Sequence, residues 1–146
     1  ADTDTRIEFV AAKPISEIFV DDGEAHFRDL EADIVAQSLG EEQGVLSLGG
    51  GAIMRPETQD LLRSYTQGGG CVVFLDVSLA QAVSRVGLNQ SRPLLLGSPR
   101  AQWQSLMSQR RPIYEALATL IVQTDDKSPA DIALEILGAL WAKEER

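Results

Sequence analysis

The stretch "CVVFLDVSLAQAVSRV", residues 71–86, joins an apolar segment directly to an amphipathic one and decides the fold class. Residues 71–77 are rich in valine and other large apolar residues, which is typical of a buried strand. Ser78 and Gln81 have the spacing of a capping box, which predicts that a helix begins immediately after the strand. A strand followed at once by a helix is the repeating unit of parallel α/β sheets.

The same alternation continues on both sides of this stretch. The other predicted strands are residues 44–50 ("GVLSLGG") and 119–124 ("TLIVQT"). The other predicted helices are residues 23–40, residues 55–65 with Pro56 in the first turn, residues 101–118, and residues 128–142 with Ser128 as N-cap. Buried strands that alternate with helices predict an α/β fold with a parallel sheet flanked by helices.

Composition limits the kinds of partner that the chain is expected to have. With 146 residues, 44% of them hydrophobic, the chain has the material for one compact domain over residues 1–146. A formal net charge of -9 argues against binding to nucleic acid or to an anionic membrane, and no apolar run approaches the ~20 residues of a membrane helix. The single cysteine, Cys71, cannot form an internal disulfide. We therefore expect a buried structural cysteine and a cytoplasmic location.

Three consecutive glycines, Gly49 to Gly51, follow the predicted strand 44–50 and indicate close approach of the backbone to a ligand. A nucleotide phosphate is the first candidate for that ligand. The sequence, however, has no G-x-x-x-x-G-K-[S/T] motif, and none of its lysines follows a glycine. A dinucleotide fingerprint fits only weakly, although Asp76 follows the glycines at a suitable distance.

Several charged residues have both a functional and a purely structural interpretation. Asp2 and Asp4 project to one side if they end a strand, or they cap the helix that follows. Arg28 has the spacing of an i,i+3 ion pair with Glu31. Arg92 lies in residues 87–100, where proline and glycine punctuation predicts a flap, and it is either functional or a solvated loop arginine.

Six motifs in order, "ADTD", "ISEIFVDDGEAHFRDLE", "VLSLGGGAI", "VVFLDV", "SRPLLLG" and "RRPIYEALA", resemble the shikimate kinase family over nearly the whole chain. The resemblance implies a P-loop NTPase-like fold and transfer of the γ-phosphoryl group of ATP, with Mg²⁺, to the 3-hydroxyl of shikimate in aromatic amino acid biosynthesis. It also implies a monomer. The family begins with a strand, a phosphate loop and a helix that have no counterpart here. We therefore expect the sequence to be a C-terminal portion of a longer chain, with a gap in its sheet and no kinase activity alone.

The resemblance implies a role for each charged residue. Asp4 accepts hydrogen bonds from the shikimate hydroxyls and is the candidate catalytic base, while Asp2 approaches magnesium through water. Arg28, oriented by Glu31, binds the substrate carboxylate together with Arg110. A planar guanidinium matches a carboxylate with two parallel hydrogen bonds, which suits this task. The neighbouring Arg111 has no matching role, and we expect it to be solvated.

The resemblance also implies the walls of two binding sites. The backbone of Gly49, Gly50 and Gly51 lines the shikimate pocket, and Phe19 and Phe27 form its aromatic wall. Arg92 is the lid arginine that reaches the transferring phosphoryl group. The residues implied for the adenine site are Arg85, Arg92, Lys127, Ser128 and Pro129.

Two other functions remain open from the sequence. One is a non-catalytic shikimate-binding module that derives from a kinase and has lost ATP chemistry. The other is a different small-molecule P-loop kinase, such as a gluconate kinase, which fits the fold but not the "GGGAI" and "RPLL" motifs.

Overall fold

The computed structural model describes residues 1–86 and 99–145, which form two compact units, Ala1–Gly70 and Cys71–Arg146. The helices of the first unit are α1 (Thr3–Ala11), α2 (Ile15–Asp21), α3 (Glu24–Glu41) and α4 (Pro56–Gln67), with a short 3₁₀ turn at Ala52–Met54. The second unit contains β1 (Val73–Asp76), α5 (Leu79–Val86), α6 (Pro99–Leu117), β2 (Leu120–Gln123) and α7 (Pro129–Glu144). The two strands pair in parallel, which confirms the α/β fold.

The core of the first unit lies among its first three helices. Ile7 from α1, Ile18 from α2, and Phe27 and Ile34 from α3 are all buried and pack together. Burying each such side chain stabilises the fold by about 1.5–3 kcal/mol. The apolar face predicted for residues 23–40 is therefore confirmed, and the helix runs one residue past Gly40.

The predicted buried strand 44–50 is wrong in extent and burial. Only Ser47 forms a bridge, parallel to Asp2, and Val45 is 83% exposed. Three hydrogen bonds join residues 1–3 to residues 45–47, from the Ala1 amino group to the Val45 carbonyl, from the Ser47 amide to the Ala1 carbonyl, and from the Thr3 amide to the Ser47 carbonyl. The pairing stays this short because α1 begins at Thr3 and takes the neighbouring backbone out of the extended conformation.

The sheet of the second unit matches the sequence closely. Strands β1 and β2 lie inside the predicted segments 71–77 and 119–124, with Val73 opposite Leu120 and Asp76 opposite Gln123. Val122 is buried on β2, and the Phe74 ring packs against that of Tyr114 at 5.0 Å. Asp76 and Gln123 thus end the two strands at the same edge.

The helix caps agree with the sequence except at α5. Pro56 opens α4, and Ser128 caps α7 by accepting from the Asp131 amide. At α5, Ser78 Oγ accepts from the Gln81 amide at 3.3 Å, but the reciprocal half of the predicted capping box is absent from the described contacts. The Ser78 amide donates instead to Asp125 Oδ1, because the loop after β2 lies against this helix end.

Two further features bear on the composition-based expectations. Cys71 is only partly buried, so the prediction of a buried cysteine is wrong; it precedes β1, and its Sγ accepts a hydrogen bond from Thr119 Oγ1 at 3.3 Å. Within residues 1–86 and 99–145, no helix combines the length and apolar character needed to cross a membrane.

Candidate active site

The glycine run brings three charged side chains of the first unit together. A β-carbon at Gly49 would lie 3.0 Å from Asp4 Oδ1 and 3.2 Å from Glu31 Oε2. A β-carbon at Gly51 would lie 2.7 and 2.8 Å from the two terminal nitrogens of Arg28. A β-carbon would therefore crowd a carboxylate pair at Gly49 and a guanidinium at Gly51, and glycine avoids both contacts. The sequence predicted close approach to a ligand, whereas the structure shows close approach to the chain's own charged groups.

Arg28 is oriented by contacts on both sides along α3. Its Nη1 donates to Glu31 Oε1 at 2.8 Å, and Glu31 is buried, so the predicted i,i+3 pair is confirmed. Its Nε lies 3.8 Å from Glu24 Oε1, one helical turn before it. The guanidinium carbon lies 5.3 Å from the centre of the Phe27 ring, within the range of a cation–π contact. These contacts hold the guanidinium in one orientation.

The two aspartates of "ADTD" differ in structure. Asp2 is extended and caps α1, its Oδ1 accepting from the Asp4 amide at 2.8 Å. Asp4 lies inside the first turn of α1. The prediction that both side chains end a strand is wrong for Asp4, and the capping alternative is confirmed for Asp2. The chain turns helical at Thr3, so the alternation of a strand no longer applies.

The pKa of Asp4 is raised above 3.8. Partial burial is the main cause, and the negative charges of Asp2 and Glu8 add to it, while the positive charge of Arg28 opposes them. A carboxyl group with a raised pKa is a stronger proton acceptor than an ordinary one. The raised pKa makes Asp4 a candidate for a functional role.

The predicted aromatic wall is an observed ring pair. The Phe19 ring on α2 lies 4.7 Å from the Phe27 ring on α3, tilted by 36°. Phe27 is buried and contributes to the core, whereas Phe19 is 37% exposed. Phe27 thus joins the Arg28 guanidinium to the core, and Phe19 presents apolar surface beside it.

Four of the five predicted adenine-site residues, Arg85, Lys127, Ser128 and Pro129, are described by the structure and lie in the second unit, around the loop after β2. Arg85 at the end of α5 donates to Thr124, from Nη1 to Oγ1 at 3.0 Å and from Nη2 to the carbonyl oxygen at 2.5 Å. Lys127 Nζ lies 2.8 Å from Glu135, and Ser128 and Pro129 open α7. The structure therefore brings Arg85 to the loop that carries the other three residues.

Arg111 forms an ion pair that the sequence did not indicate. Its guanidinium makes a two-point pair with Asp76, at 2.9 and 2.5 Å, and contacts Glu115 at 3.4 Å. It also lies 5.5 Å from the centre of the Phe74 ring. The prediction that Arg111 is solvated is wrong, because α6 passes the edge where Asp76 ends β1. Residues 76 and 111 are far apart in sequence, so no local spacing indicated the pair.

The roles of two more predicted site residues, Arg110 and Arg92, stay predictions. Arg110 is partly buried on α6, within the second unit. Arg92 and most of the predicted flap lie outside the described residues, and α6 begins at Pro99.

Comparison with known proteins identifies the family. The model of the family described as "Shikimate kinase" matches residues 1–141. The chain belongs to the shikimate kinase family. It is 50% identical over 141 residues to the shikimate kinase of Salinispora arenicola, covering 97% of this chain and 81% of that protein. It is 46% identical over 143 residues to the shikimate kinase of Streptomyces coelicolor, covering 98% of this chain and 81% of that protein.

Solved structures of shikimate kinases have the same fold. The enzyme from Acinetobacter baumannii in complex with shikimate superposes with a TM-score of 0.87 at 27% identity, covering 99% of this chain and 79% of that chain. The enzyme from Aquifex aeolicus gives a TM-score of 0.78 at 28% identity, covering 98% and 81%. This shikimate kinase family member is thus an α/β kinase by sequence and by fold.

Proposed function

We propose that the protein's reaction is transfer of the γ-phosphoryl group of ATP to the 3-hydroxyl of shikimate. The observation that carries the proposal is the cluster of Asp4, Arg28 and Glu31 around Gly49 and Gly51. This cluster supplies what a hydroxylated carboxylic acid requires, namely an oriented cation and an anionic acceptor of hydroxyl hydrogen bonds. A relative of the same fold was solved in complex with shikimate.

Recognition of the acceptor is assigned to Arg28. Glu31 accepts from Nη1 of Arg28, and Glu24 lies beside its Nε. These contacts orient the guanidinium so that its remaining N–H donors can bind the shikimate carboxylate. Phe19 is assigned to one apolar face of the shikimate ring. Arg110 is assigned to the same carboxylate from the "RRPIY" motif alone. Gly50 is assigned to the pocket on the same basis.

Proton transfer is assigned to Asp4. Its raised pKa favours acceptance of the hydroxyl proton as the bond to phosphorus forms. Asp2 suits a magnesium ion bound through water, since Mg²⁺ keeps most of its water and takes one or two carboxylates from a protein. Across the described residues, no three histidine, cysteine or acidic side chains cluster to ligate a metal directly. When bound, the ion neutralises charge on the transferring phosphates.

Nucleotide contacts are assigned to residues of the second unit. Arg85 and Pro129 would flank the adenine, with Lys127 and Ser128 in the loop between β2 and α7. Arg92 is assigned to the phosphoryl group by resemblance. A monomeric protein in the cytoplasm, without nucleic-acid or membrane partners, completes the proposal.

A coupled assay of shikimate-dependent ADP formation, with the product examined by NMR, tests this proposal. The 146 residues contain no G-x-x-x-x-G-K-[S/T] motif, so we expect them to show no ordinary kinase rate alone. A fusion protein with the first strand, phosphate loop and first helix of a family member placed N-terminal to the 146 residues is expected to form shikimate 3-phosphate. ADP formation by the unfused residues, or phosphorylation at another hydroxyl, would contradict the proposal.

The second candidate is a shikimate-binding module without ATP chemistry, and the missing motif is the observation that favours it. The same fused protein distinguishes the two. Shikimate binding without any ADP formation supports the module, whereas shikimate-dependent turnover supports the kinase.

A further inference from the structure

Thr124, at the carboxyl end of β2, is fixed in place from several directions. Its amide and its Oγ1 both donate to the Asp76 carbonyl oxygen, at 2.9 and 2.7 Å. Its own carbonyl accepts from the Lys127 amide at 3.3 Å, which closes a turn. The side chain is buried, with 4% of the residue exposed. The hydroxyl proton is thereby committed to Asp76, and the hydroxyl lone pairs remain available to accept.

Arg85 uses this fixed acceptor at two points. Nη1 donates to Thr124 Oγ1 and Nη2 to the Thr124 carbonyl, so one edge of the guanidinium is held by one residue. Guanidinium N–H groups point within the plane of the group, so these bonds fix the plane without using its flat faces. Arg85 itself is exposed, although Thr124 is not.

The loop that carries Thr124 makes two more hydrogen bonds with the start of α5, the helix that carries Arg85. The Ser78 amide donates to Asp125 Oδ1 at 3.0 Å, and Gln81 Nε2 donates to Asp126 Oδ1 at 3.3 Å. Asp126 has a positive φ of 58°, so the turn adopts one specific backbone conformation. Helix α5 and residues 124–129 therefore form a single connected support.

We propose that Thr124 is a positioning residue that sets the plane of Arg85 for stacking on the nucleotide base. The inference rests on the proposed assignment of Arg85 to adenine and adds the residue through which that contact is controlled. Stacking of a guanidinium on an aromatic ring depends on the orientation of its plane. An arginine that is already oriented also loses less side-chain entropy when the base binds.

Calorimetric titration of ADP into the protein and two variants tests the role of the hydroxyl. Thr124→Val keeps the shape of the side chain but removes the hydroxyl, and it is expected to raise the Kd for ADP roughly tenfold. Thr124→Ser retains the hydroxyl and is expected to bind ADP like the unchanged protein. The Kd for shikimate, whose proposed binding residues include neither Thr124 nor Arg85, is expected to stay the same in both variants.

A double-mutant cycle with Arg85→Ala separates positioning from general stability. If Thr124 acts through Arg85, Thr124→Val has no further effect on the Kd for ADP once Arg85 is alanine. An equal effect in both backgrounds, or no effect of Thr124→Val in the unchanged protein, would overturn the inference and leave the proposed function intact. Unchanged ADP affinity in Arg85→Ala, or no ADP binding by the unchanged protein, would overturn the adenine assignment and this inference with it.

Discussion

At Gly49 and Gly51 the absence of a side chain is what allows the candidate site to form. The Arg28 guanidinium and the carboxylates of Asp4 and Glu31 lie only 2.7 to 3.2 Å from the positions that β-carbons would take. Opposite charges packed this closely partly neutralise one another, and a buried Glu31 is tolerated because Arg28 is its partner. The close packing of these three charged groups therefore depends on the absence of β-carbons at Gly49 and Gly51.

The first prediction concerns Gly51→Ala. The new methyl group would lie 2.7 to 3.0 Å from the Arg28 guanidinium, the end of a flexible side chain that moves to relieve the contact. We expect the Kd for shikimate to rise roughly tenfold, through loss of one oriented charge-assisted hydrogen bond, with a small change in Tm. Gly40→Ala is the matched control, because nothing lies within 4 Å of its β-carbon position. A Kd equal to that of the unchanged protein would show that the orientation of Arg28 is unimportant.

The second prediction concerns the titration of Asp4. Its pKa is raised by burial and by the charge of Asp2, so shikimate affinity is expected to fall on acidification at a pH above the ordinary carboxyl value of 3.8. Asp2→Asn removes one negative neighbour and should lower the pKa of Asp4, which moves the loss of affinity to lower pH. The Kd for shikimate measured against pH checks this. A shift to higher pH, or none, would show that Asp2 does not control Asp4.

Among the elements, α6 has the contact that a local sequence pattern could not indicate. Pro112 lies inside this helix and removes one backbone hydrogen bond, which weakens the helix at that turn. The preceding residue, Arg111, pairs with Asp76 at the end of β1 and contacts the Phe74 ring. The ion pair thus attaches α6 to the end of β1 beside the turn that contains Pro112.

The third prediction follows from that ion pair. The hydrogen bonds from Arg111 lower the pKa of Asp76 below 3.8, against the opposing effect of burial. A carboxyl group whose pKa is lowered by folding stabilises the fold at pH values above its pKa in the unfolded state. This contribution is lost as the pH falls through the pKa of the folded state. We expect Arg111→Ala to reduce the free energy of unfolding at pH 7 by on the order of 1 kcal/mol, since the pair is partly exposed.

Urea unfolding at several pH values measures this effect. The unchanged protein should lose stability below pH 3.8 more steeply than Arg111→Ala does. Glu115→Gln is the matched control, because it removes the negative charge from the weaker 3.4 Å contact of Arg111 and leaves the pair with Asp76. Equal stability of Arg111→Ala and the unchanged protein at pH 7 would contradict the assigned role.

Elements set by local patterns were predictable from the sequence, whereas elements that depend on residues distant in sequence were not. Helix α3, the start of α7 and both strands follow from local patterns, such as the apolar face of α3 and the cap at Ser128. The segment 44–50 was apolar enough for a strand, but its pairing depended on residues 1–3, where a helix begins. Helix α2 was missed, because its seven residues are too few to show a clear periodicity.

For the site, the sequence indicated the residue types but not their neighbours. The pair of Arg28 and Glu31 was predictable because both residues lie on one helix. The contacts of Gly49 with Asp4 and of Arg85 with Thr124 join distant parts of the sequence, and only the fold reveals them. The roles assigned to Arg92 and Arg110 remain predictions from family resemblance.

At the scale of the whole molecule, most residues proposed to bind shikimate and those proposed to bind nucleotide belong to different units. Asp4, Arg28 and Glu31, which are proposed to bind shikimate, belong to the first unit. Arg85 and Thr124 belong to the second, as does Arg110, which is assigned to shikimate from its motif alone. Each group is held by contacts within its own unit. Shikimate binding and nucleotide binding are therefore expected to respond to separate sets of substitutions.

The most direct test of the central claim is a calorimetric titration of shikimate into the 146-residue chain, without nucleotide, compared with Arg28→Ala and Arg63→Ala. Arg63 is the matched control, since it forms an i,i+3 ion pair with Asp60 on α4 but lies on an exposed part of the helix. We predict that the unchanged chain and Arg63→Ala bind shikimate equally, and that Arg28→Ala raises the Kd about 10- to 100-fold. Equal binding by all three, or no binding by the unchanged chain, would contradict the account.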